Sequence, residues 1–161
     1  MADLTVTITE SVTLNGAARG STNTLTVSGV DDVYHRIITC PDDVPVTVAT
    51  FHATTGASDS SLDVENVKYI RVTNLDGSNP VILDLQIDPA EDDSAAADQG
   101  AILLEAGKSF IMGSPSDAIV VNSAGATPIT ALSSLVNLES IIVDPLSEAV
   151  KVEVFIASVV A

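Results

Sequence analysis

Residues 67–87, VKYIRVTNLDGSNPVILDLQI, contain two runs in which apolar and polar side chains alternate. A period of two residues is typical of a β-strand with one buried face, and β-branched residues are frequent in both runs. The segment Asp76-Gly77-Ser78-Asn79-Pro80 between them consists of residues that favour turns. The stretch therefore predicts a β-hairpin of Val67 to Leu75 with Val81 to Ile87.

The same alternation continues in both directions and predicts an all-β protein. There is no convincing long helix, and residues 129–137 suit either a single helical turn or a loop. Short strands with turn signals at near-regular spacing favour an antiparallel β-sandwich, jelly-roll-like, formed by residues 1–161 as one domain. The predicted strands are 4–14, 22–28, 33–39, 44–51, 67–75, 81–87, 101–104, 110–112, 118–122, 138–143 and 149–160, with polar loops at 53–63 and 88–100.

The two terminal strands have the clearest patterns. In 4–14, LTVTITESVTL, the apolar residues share one face, which is predicted to be buried, and the threonines share the other. Asn15-Gly16 then signals a turn. Leu25 and Val27 of the next strand are predicted to point inward. Strand 149–160, AVKVEVFIASVV, is predicted to be central or paired, since an exposed strand of this kind invites aggregation.

Composition excludes several classes of function. The formal net charge of −16 arises from 22 acidic and 6 basic residues and repels phosphate backbones and anionic membranes, so we expect neither nucleic-acid nor membrane binding. Aromatic residues make up 3% of the chain, which leaves few platforms for stacking sugars or bases. The single cysteine, Cys40, precludes an internal disulfide, and the N-terminus MADLTVTITE lacks a secretory signal pattern, so we expect assembly in a reducing cytoplasm.

The segment LEAGKSFIMG, residues 103–112, resembles the end of a phosphate-binding loop at Gly107-Lys108-Ser109. Such a loop needs a glycine where this chain has Ile102, and a helix after it. Gly113 and Pro115 would interrupt that helix within two turns. The segment instead predicts a turn between two strands of a hairpin.

Candidate catalytic and metal-binding residues are few. His35 and His52 lie on separate predicted strands, and Cys40 has only Arg36 as a nearby basic residue, so a buried thiol is favoured over a nucleophile. No Gly-x-Ser-x-Gly motif occurs, and we expect no enzymatic activity and no cofactor. A calcium site is an alternative, although the acidic residues do not follow the order of ligands in an EF-hand. A zinc site is less favoured still. The acidic residues considered for calcium are Asp84, Asp88, Glu91, Asp92, Asp93 and Asp98.

Three segments carry a resemblance to known proteins: NVKYIRVTNLDGSNPVILDLQI, LEAGKSFIMG and LESIIVDPLSEAVKVEVFIASVV. Together, over about residues 66–160, they resemble small virion proteins of tailed bacteriophages, particularly the capsid decoration or cement proteins of marine phages. The motifs are structural rather than catalytic. The N-terminal third of the chain has no comparable resemblance.

The resemblance implies a jelly-roll-like protein on the outer surface of an assembled capsid, bound to the major capsid protein and often a homotrimer. The N-terminal strand, residues 4–14, is then a possible attachment arm that pairs with a capsid edge, although it suits its own sheet equally. The alternative is a tail- or fibre-associated receptor-binding module, in which loops 53–63 and 88–100 carry recognition.

Overall fold

The computed structural model describes residues 1–53, 61–87, 98–120 and 135–159, and this part of the chain is all-β and predominantly antiparallel. Most predicted strands are confirmed within a few residues. Residues 121–122 of the predicted strand 118–122 and residues 129–134 of the segment 129–137 lie outside the described residues. In the described part of these two segments, Ile119 forms an isolated bridge with Val136 rather than a strand. The strands are β1 (Ala2–Thr9), β2 (Val12–Leu14), β3 (Ala17–Arg19), β4 (Thr22–Val30), β5 (Asp32–Cys40), β6 (Val46–His52), β7 (Leu62–Asp63), β8 (Val67–Asn74), β9 (Val81–Ile87), β10 (Asp98–Leu104), β11 (Ser109–Met112), β12 (Leu138–Pro145) and β13 (Val150–Ser158).

Strands β5 to β13 form two sheets that share one hydrophobic core. One sheet has the order β10-β9-β12-β6-β7 and the other the order β11-β8-β13-β5. Every pairing in them is antiparallel except the short parallel contact of β6 with β7. We call the second of these the four-stranded sheet. The prediction that the C-terminal strand is central is confirmed, because β13 lies between β8 and β5.

The core is filled by the inward rows that the alternation predicted. On β9 every second residue is buried, and on β13 the buried row includes Val152, Val154 and Ile156. Both rows belong to the same hydrophobic cluster, so the two sheets face each other across it. Val, Ile and Leu supply nearly all of its volume, in keeping with the scarcity of aromatic residues.

Both hairpins predicted in the body are wrong. Strand β8 pairs with β11 and β13, whereas β9 pairs with β10 and β12, so residues 75–80 cross from one sheet to the other. The turn at Gly107-Lys108 likewise connects β10 in one sheet with β11 in the other. The amide side chain of Asn74, fully buried, stabilises the first crossing by donating to the carbonyl oxygens of Asn79 at 2.9 Å and Leu104 at 3.3 Å.

Four short connections lie at one end of the two sheets: 41–45, 75–80, 105–108 and 146–149. The registers show this, since Cys40 pairs with Val150 and Val81 pairs with both Pro145 and Leu104. The N-terminal strands join the body at the other end, where Asp31 donates its backbone N–H to the carbonyl oxygen of Ser158. The molecule therefore has a turn end and an arm end.

Candidate functional site

The first 30 residues form an arm that is separate from both larger sheets. Strands β1 and β4 pair only with each other in the described residues and make up its stem, and β2 and β3 pair to make up its tip. The turn predicted at Asn15-Gly16 is confirmed, with φ angles of 51° and 78°. Both angles are positive, as two-residue hairpin turns that match the strand twist require. Residues 4–14 are thus two strands rather than the single strand predicted, with the break at Glu10-Ser11.

One face of the stem is made of threonine pairs. Thr5 lies opposite Thr26, and the following pairs are Thr7 with Thr24 and Thr9 with Thr22. The hydroxyl oxygens of the two distal pairs lie 3.5 Å and 3.4 Å apart. Cross-strand threonine pairs of this kind stabilise a two-stranded ribbon.

Among the described residues, the opposite face of the stem packs against the body only at its base. Leu4, Val6 and Val27 pack on a small cluster formed by Val30, Tyr69 and Ala157, on the outer side of the four-stranded sheet. A β-bulge lies in this region, where Gly29 adopts a φ of 76° and donates its backbone N–H to Asp3 Oδ1 at 3.3 Å. A bulge of this kind bends a strand and so sets the direction in which the arm leaves the body.

Beyond the base the apolar face of the arm is exposed. Leu25 and Ile8 follow Val6 and Val27 along the stem, and Val12 and Leu14 lie in the tip; the exposed fractions of these four side chains range from 46% to 61%. We call them the apolar stripe. The face of residues 4–14 that the sequence predicts to be buried is therefore covered only near the base. Leu25, predicted to point inward, is exposed.

The junction of stem and tip depends on a close approach of two backbones. The backbone N–H of Glu10 donates to the carbonyl oxygen of Ser21 at 2.8 Å, and the Ser21 hydroxyl donates to Glu10 Oε2 at 3.0 Å. A Cβ at position 20 would collide with the carbonyl oxygen of Glu10, so only glycine fits there.

A charged network crosses the outer face of the four-stranded sheet beside the arm base. Glu153 on β13 accepts from His35 Nε2 at 2.8 Å and from Arg71 Nη2 at 2.7 Å. The hydrogen bond from His35, with a smaller contribution from Arg71, holds the pKa of Glu153 below its ordinary value, although partial burial opposes the shift. The Phe155 ring lies 5.6 Å from the His35 ring and contacts the cluster under the arm.

The network extends to the other edge of the sheet. Arg71 also donates to Thr73 Oγ1 at 3.1 Å, and the Thr73 and Ser109 hydroxyl oxygens are 2.8 Å apart. The sequence did not predict this network, because its members are brought together by pairing of β5, β8, β11 and β13. One feature of the sequence indicated it: the alternation along each strand places His35, Arg71 and Glu153 in the outward-facing rows.

The turn end presents a second group of exposed apolar side chains. Leu75 and Leu146 occupy two of its connections and Val44 a third, and Leu103 lies on β10 two residues before the fourth. Acidic residues accompany them, including Asp76, which accepts from the backbone N–H groups of Asn79 at 2.7 Å and Ser78 at 2.8 Å. These hydrogen bonds hold the pKa of Asp76 below its ordinary value. We call Val44, Leu75, Leu103 and Leu146 the turn-end patch.

The individual residues predicted as candidates are dispersed. Cys40 is fully buried, as predicted, and burial raises the pKa of its thiol to about 11. His52 lies on β6, away from the pairing of His35 with Glu153. Lys108 lies in a turn, as predicted, and its backbone N–H donates to the Glu105 carbonyl oxygen at 3.1 Å.

The acidic residues considered for calcium fall mainly on undescribed parts of the chain. Asp88, Glu91, Asp92 and Asp93 lie outside the described residues, and so does the side chain of Asp98. Asp84 lies on the outer face of β9, where burial, together with the charge of Asp144, raises the pKa of its carboxyl group. In the portions that are described, no three His, Cys, Asp or Glu side chains are grouped so as to hold a metal ion.

Comparisons with protein-family models, curated proteins and solved structures found no match to this chain. Within the described ranges, no helix is long and apolar enough to cross a membrane.

Proposed function

We propose that this chain is a virion structural protein without enzymatic activity, a capsid decoration or cement protein that binds the outer surface of an assembled phage capsid. The observation that carries the proposal is the presence of two separate exposed apolar surfaces, the apolar stripe and the turn-end patch, at different ends of one acidic body. A cement protein needs two such surfaces, because it stabilises a shell by burying surface on the shell and on its own neighbours at once.

The distribution of charge supports this assignment. Residues 1–30 contain two of the 22 acidic residues and one of the 6 basic residues, so the arm carries a formal charge of −1 and the rest of the chain −15. An acidic body keeps copies soluble at high local concentration and is kept away from packaged DNA on the outside of a capsid. Assembly in the host cytoplasm suits a chain with one buried cysteine and no disulfide.

The connectivity supports a jelly-roll-like body. Without the two-residue strand β7, eight strands remain, and four pairs of them are antiparallel neighbours: β5 with β13, β6 with β12, β8 with β11 and β9 with β10. Such nested pairing of first with last and second with next to last is what results when one long antiparallel hairpin is wound into two sheets. Jelly rolls are eight-stranded double sheets of this type and occur in viral capsid domains.

We further propose that the turn-end patch faces the major capsid protein. Its apolar side chains lie among acidic and basic residues, an arrangement that matches the apolar centre and polar rim of a specific protein interface. The shell contact is tested by co-sedimentation of purified protein with assembled shells and, separately, with free capsid subunits. We expect binding to shells, little binding to free subunits, and loss of shell binding in the double variant Leu75→Asp/Leu146→Asp.

A control is Ile111→Asp, which adds one negative charge, against two in the turn-end variant, at an exposed apolar position on β11. Unchanged binding of the turn-end variant would overturn the assignment of this patch, and no binding of the unmodified protein to shells would overturn the proposed function. Cryo-electron microscopy of the virion gives the position directly. Density at the tail rather than on the capsid would favour the tail- or fibre-associated receptor-binding module.

A further inference from the structure

The stem of the arm lacks the features that protect open strand edges. In the described residues each of its strands has one partner only, so both long edges of the ribbon are unpaired. Natural edge strands are blunted by charge, proline or short length. Strands β1 and β4 contain no proline and a single charged residue, Asp3 at the base, whereas the edge strand β5 carries Asp32, His35 and Arg36.

In the part of the chain that the structure describes, the distal arm also has no layer over its apolar stripe. Val6 and Val27 are partly covered by the body, but Leu25 and Ile8 beyond them are about half exposed, and Val12 and Leu14 more so. A two-stranded ribbon is marginally stable in water unless it gains further strands or packs against another element. Both the edges and the stripe therefore favour a structure in which something covers the arm.

The charge distribution indicates what covers it. Bodies with a formal charge of −15 repel one another, whereas arms with a charge of −1 approach one another with little electrostatic cost. Glu10 at the junction of stem and tip and Arg19 in the tip supply one charge of each sign, which suits contact between identical arms. An arm that leaves the body at its base also lets copies meet while their acidic bodies stay apart.

We infer that the occupant is the arm of a second copy of this chain, and that neighbouring copies bury their apolar stripes against one another. Each ribbon has two open edges, so a closed ring of three or more arms uses both edges of every ribbon. A pair of arms would leave one edge of each ribbon open. The inference concerns contacts between copies and does not depend on the proposed contact with the shell.

The test is the oligomeric state of the purified full chain, measured without capsids by sedimentation equilibrium. We expect a closed oligomer at micromolar concentration and at least about tenfold weaker association for Ile8→Asp/Leu25→Asp, because two charges would be buried in each copy's stripe. Leu75→Asp/Leu146→Asp is the matched control, with the same added charge on two leucines of similar exposure, and should leave association unchanged. Added salt should strengthen association by screening the acidic bodies.

A thermal melt of each variant separates loss of association from loss of folding. Because both stripe residues are exposed in the single chain, the variant should retain the body's cooperative unfolding transition. A monomeric unmodified chain at high concentration, or equal dissociation of the control variant, would overturn the inference. If the arm variant remained as associated as the unmodified chain but lost binding to shells, the occupant would be the shell, and the proposed function would stand without this inference.

Discussion

Arg71 and Glu153 are joined across neighbouring strands by a hydrogen bond of 2.7 Å between Nη2 and Oε2, and His35 binds the other carboxylate oxygen of Glu153. The three side chains connect β8, β13 and β5 on the outer face, next to the base of the arm. The pair is partly shielded, since the side chain of Glu153 retains 20% of its exposure. Its contribution to stability is consequently greater than that of a fully solvated surface ion pair.

Replacement of Glu153 by Gln should destabilise the protein at neutral pH. We expect the free energy of unfolding to fall by roughly 0.5 to 1 kcal/mol, because the substitution removes the charge that His35 and Arg71 bind. The folded-state pKa of Glu153 is lowered from 4.5, so its stabilising contribution is present above pH 4.5 and is lost as the pH falls through the folded-state value.

Urea titrations of the unmodified and E153Q proteins at several pH values would measure this difference. The two curves of unfolding free energy against pH should converge as the pH falls below 4.5 and through the lower folded-state pKa of Glu153. Glu148→Gln, at an exposed turn position, is the control and should change little. A pH-independent difference between E153Q and the unmodified protein would contradict the prediction.

Replacement of Asp84 by Asn should have the opposite effect and stabilise the protein at neutral pH. Burial, reinforced by the charge of Asp144, raises the pKa of Asp84 in the folded state, so ionisation of Asp84 costs more in the folded protein than in the unfolded chain. The penalty is absent at acid pH and grows as the pH rises through the unfolded-state and then the folded-state pKa. We expect D84N to raise the free energy of unfolding at neutral pH by a few tenths of a kcal/mol, roughly the size of a like-charge contact at a surface.

Denaturation of D84N and of the exposed control Asp42→Asn at neutral and at acid pH would check the sign. The advantage of D84N should vanish at the acid end. A loss of stability at neutral pH would show that the Asp84 carboxylate makes a favourable interaction that outweighs its burial.

The sequence predicted where strands lie but not how they cross between sheets. In 67–87 both alternating runs are strands, and the six residues between them suit a hairpin as well as a crossing from one sheet to the other. Each arrangement buries one face of each strand, so the alternation alone does not distinguish them. The distinguishing residue is Asn74, which occupies the inward row with Val72. Once buried, its side chain donates to the backbone oxygens of Asn79, within the crossing, and of Leu104, on β10 of the other sheet.

The arm illustrates a second limit of the alternation. Leu4 and Leu14 have the same parity and the same apolar character, yet Leu4 packs against the body and Leu14 is 61% exposed. Periodicity shows which side chains share a face, and it does not show how far another layer extends over that face. The apolar stripe could therefore not be predicted from the sequence. Its exposure depends on how far the body covers the arm, whereas the alternation of apolar residues continues beyond the covered part.

Cys40 should be protected from thiol reagents in the folded protein. Burial raises the pKa of this thiol from 9.0 to about 11, which at neutral pH lowers the thiolate fraction by roughly 100-fold. Steric exclusion adds to this, since the side chain is fully buried between β5 and the core. We expect reaction with Ellman's reagent to be at least about 100-fold slower in native protein than in urea.

The double variant Cys40→Ala/Thr39→Cys is a suitable control, because it moves the thiol by one residue to the exposed face of the same strand. Its thiol should react at nearly the same rate in native and unfolded protein. A native Cys40 that reacted as fast as the control would show that β5 opens readily from its pairing with β13.

Replacement of Gly20 by Ala should perturb the arm tip and leave the body unchanged. The new Cβ would collide with the carbonyl oxygen of Glu10, a backbone atom that moves only if the junction between stem and tip opens. We expect faster amide hydrogen exchange at Glu10 and in the pairing of β2 with β3, because the hydrogen bond from Glu10 to Ser21 is weakened. The main unfolding transition should shift by less than about 1 kcal/mol, since the tip residues are exposed and make no core contacts.

Gly77→Ala is the control, because a Cβ there meets open space. Hydrogen exchange followed by mass spectrometry would locate the change, and protection of the tip equal to that in the control would contradict the close approach of the two backbones.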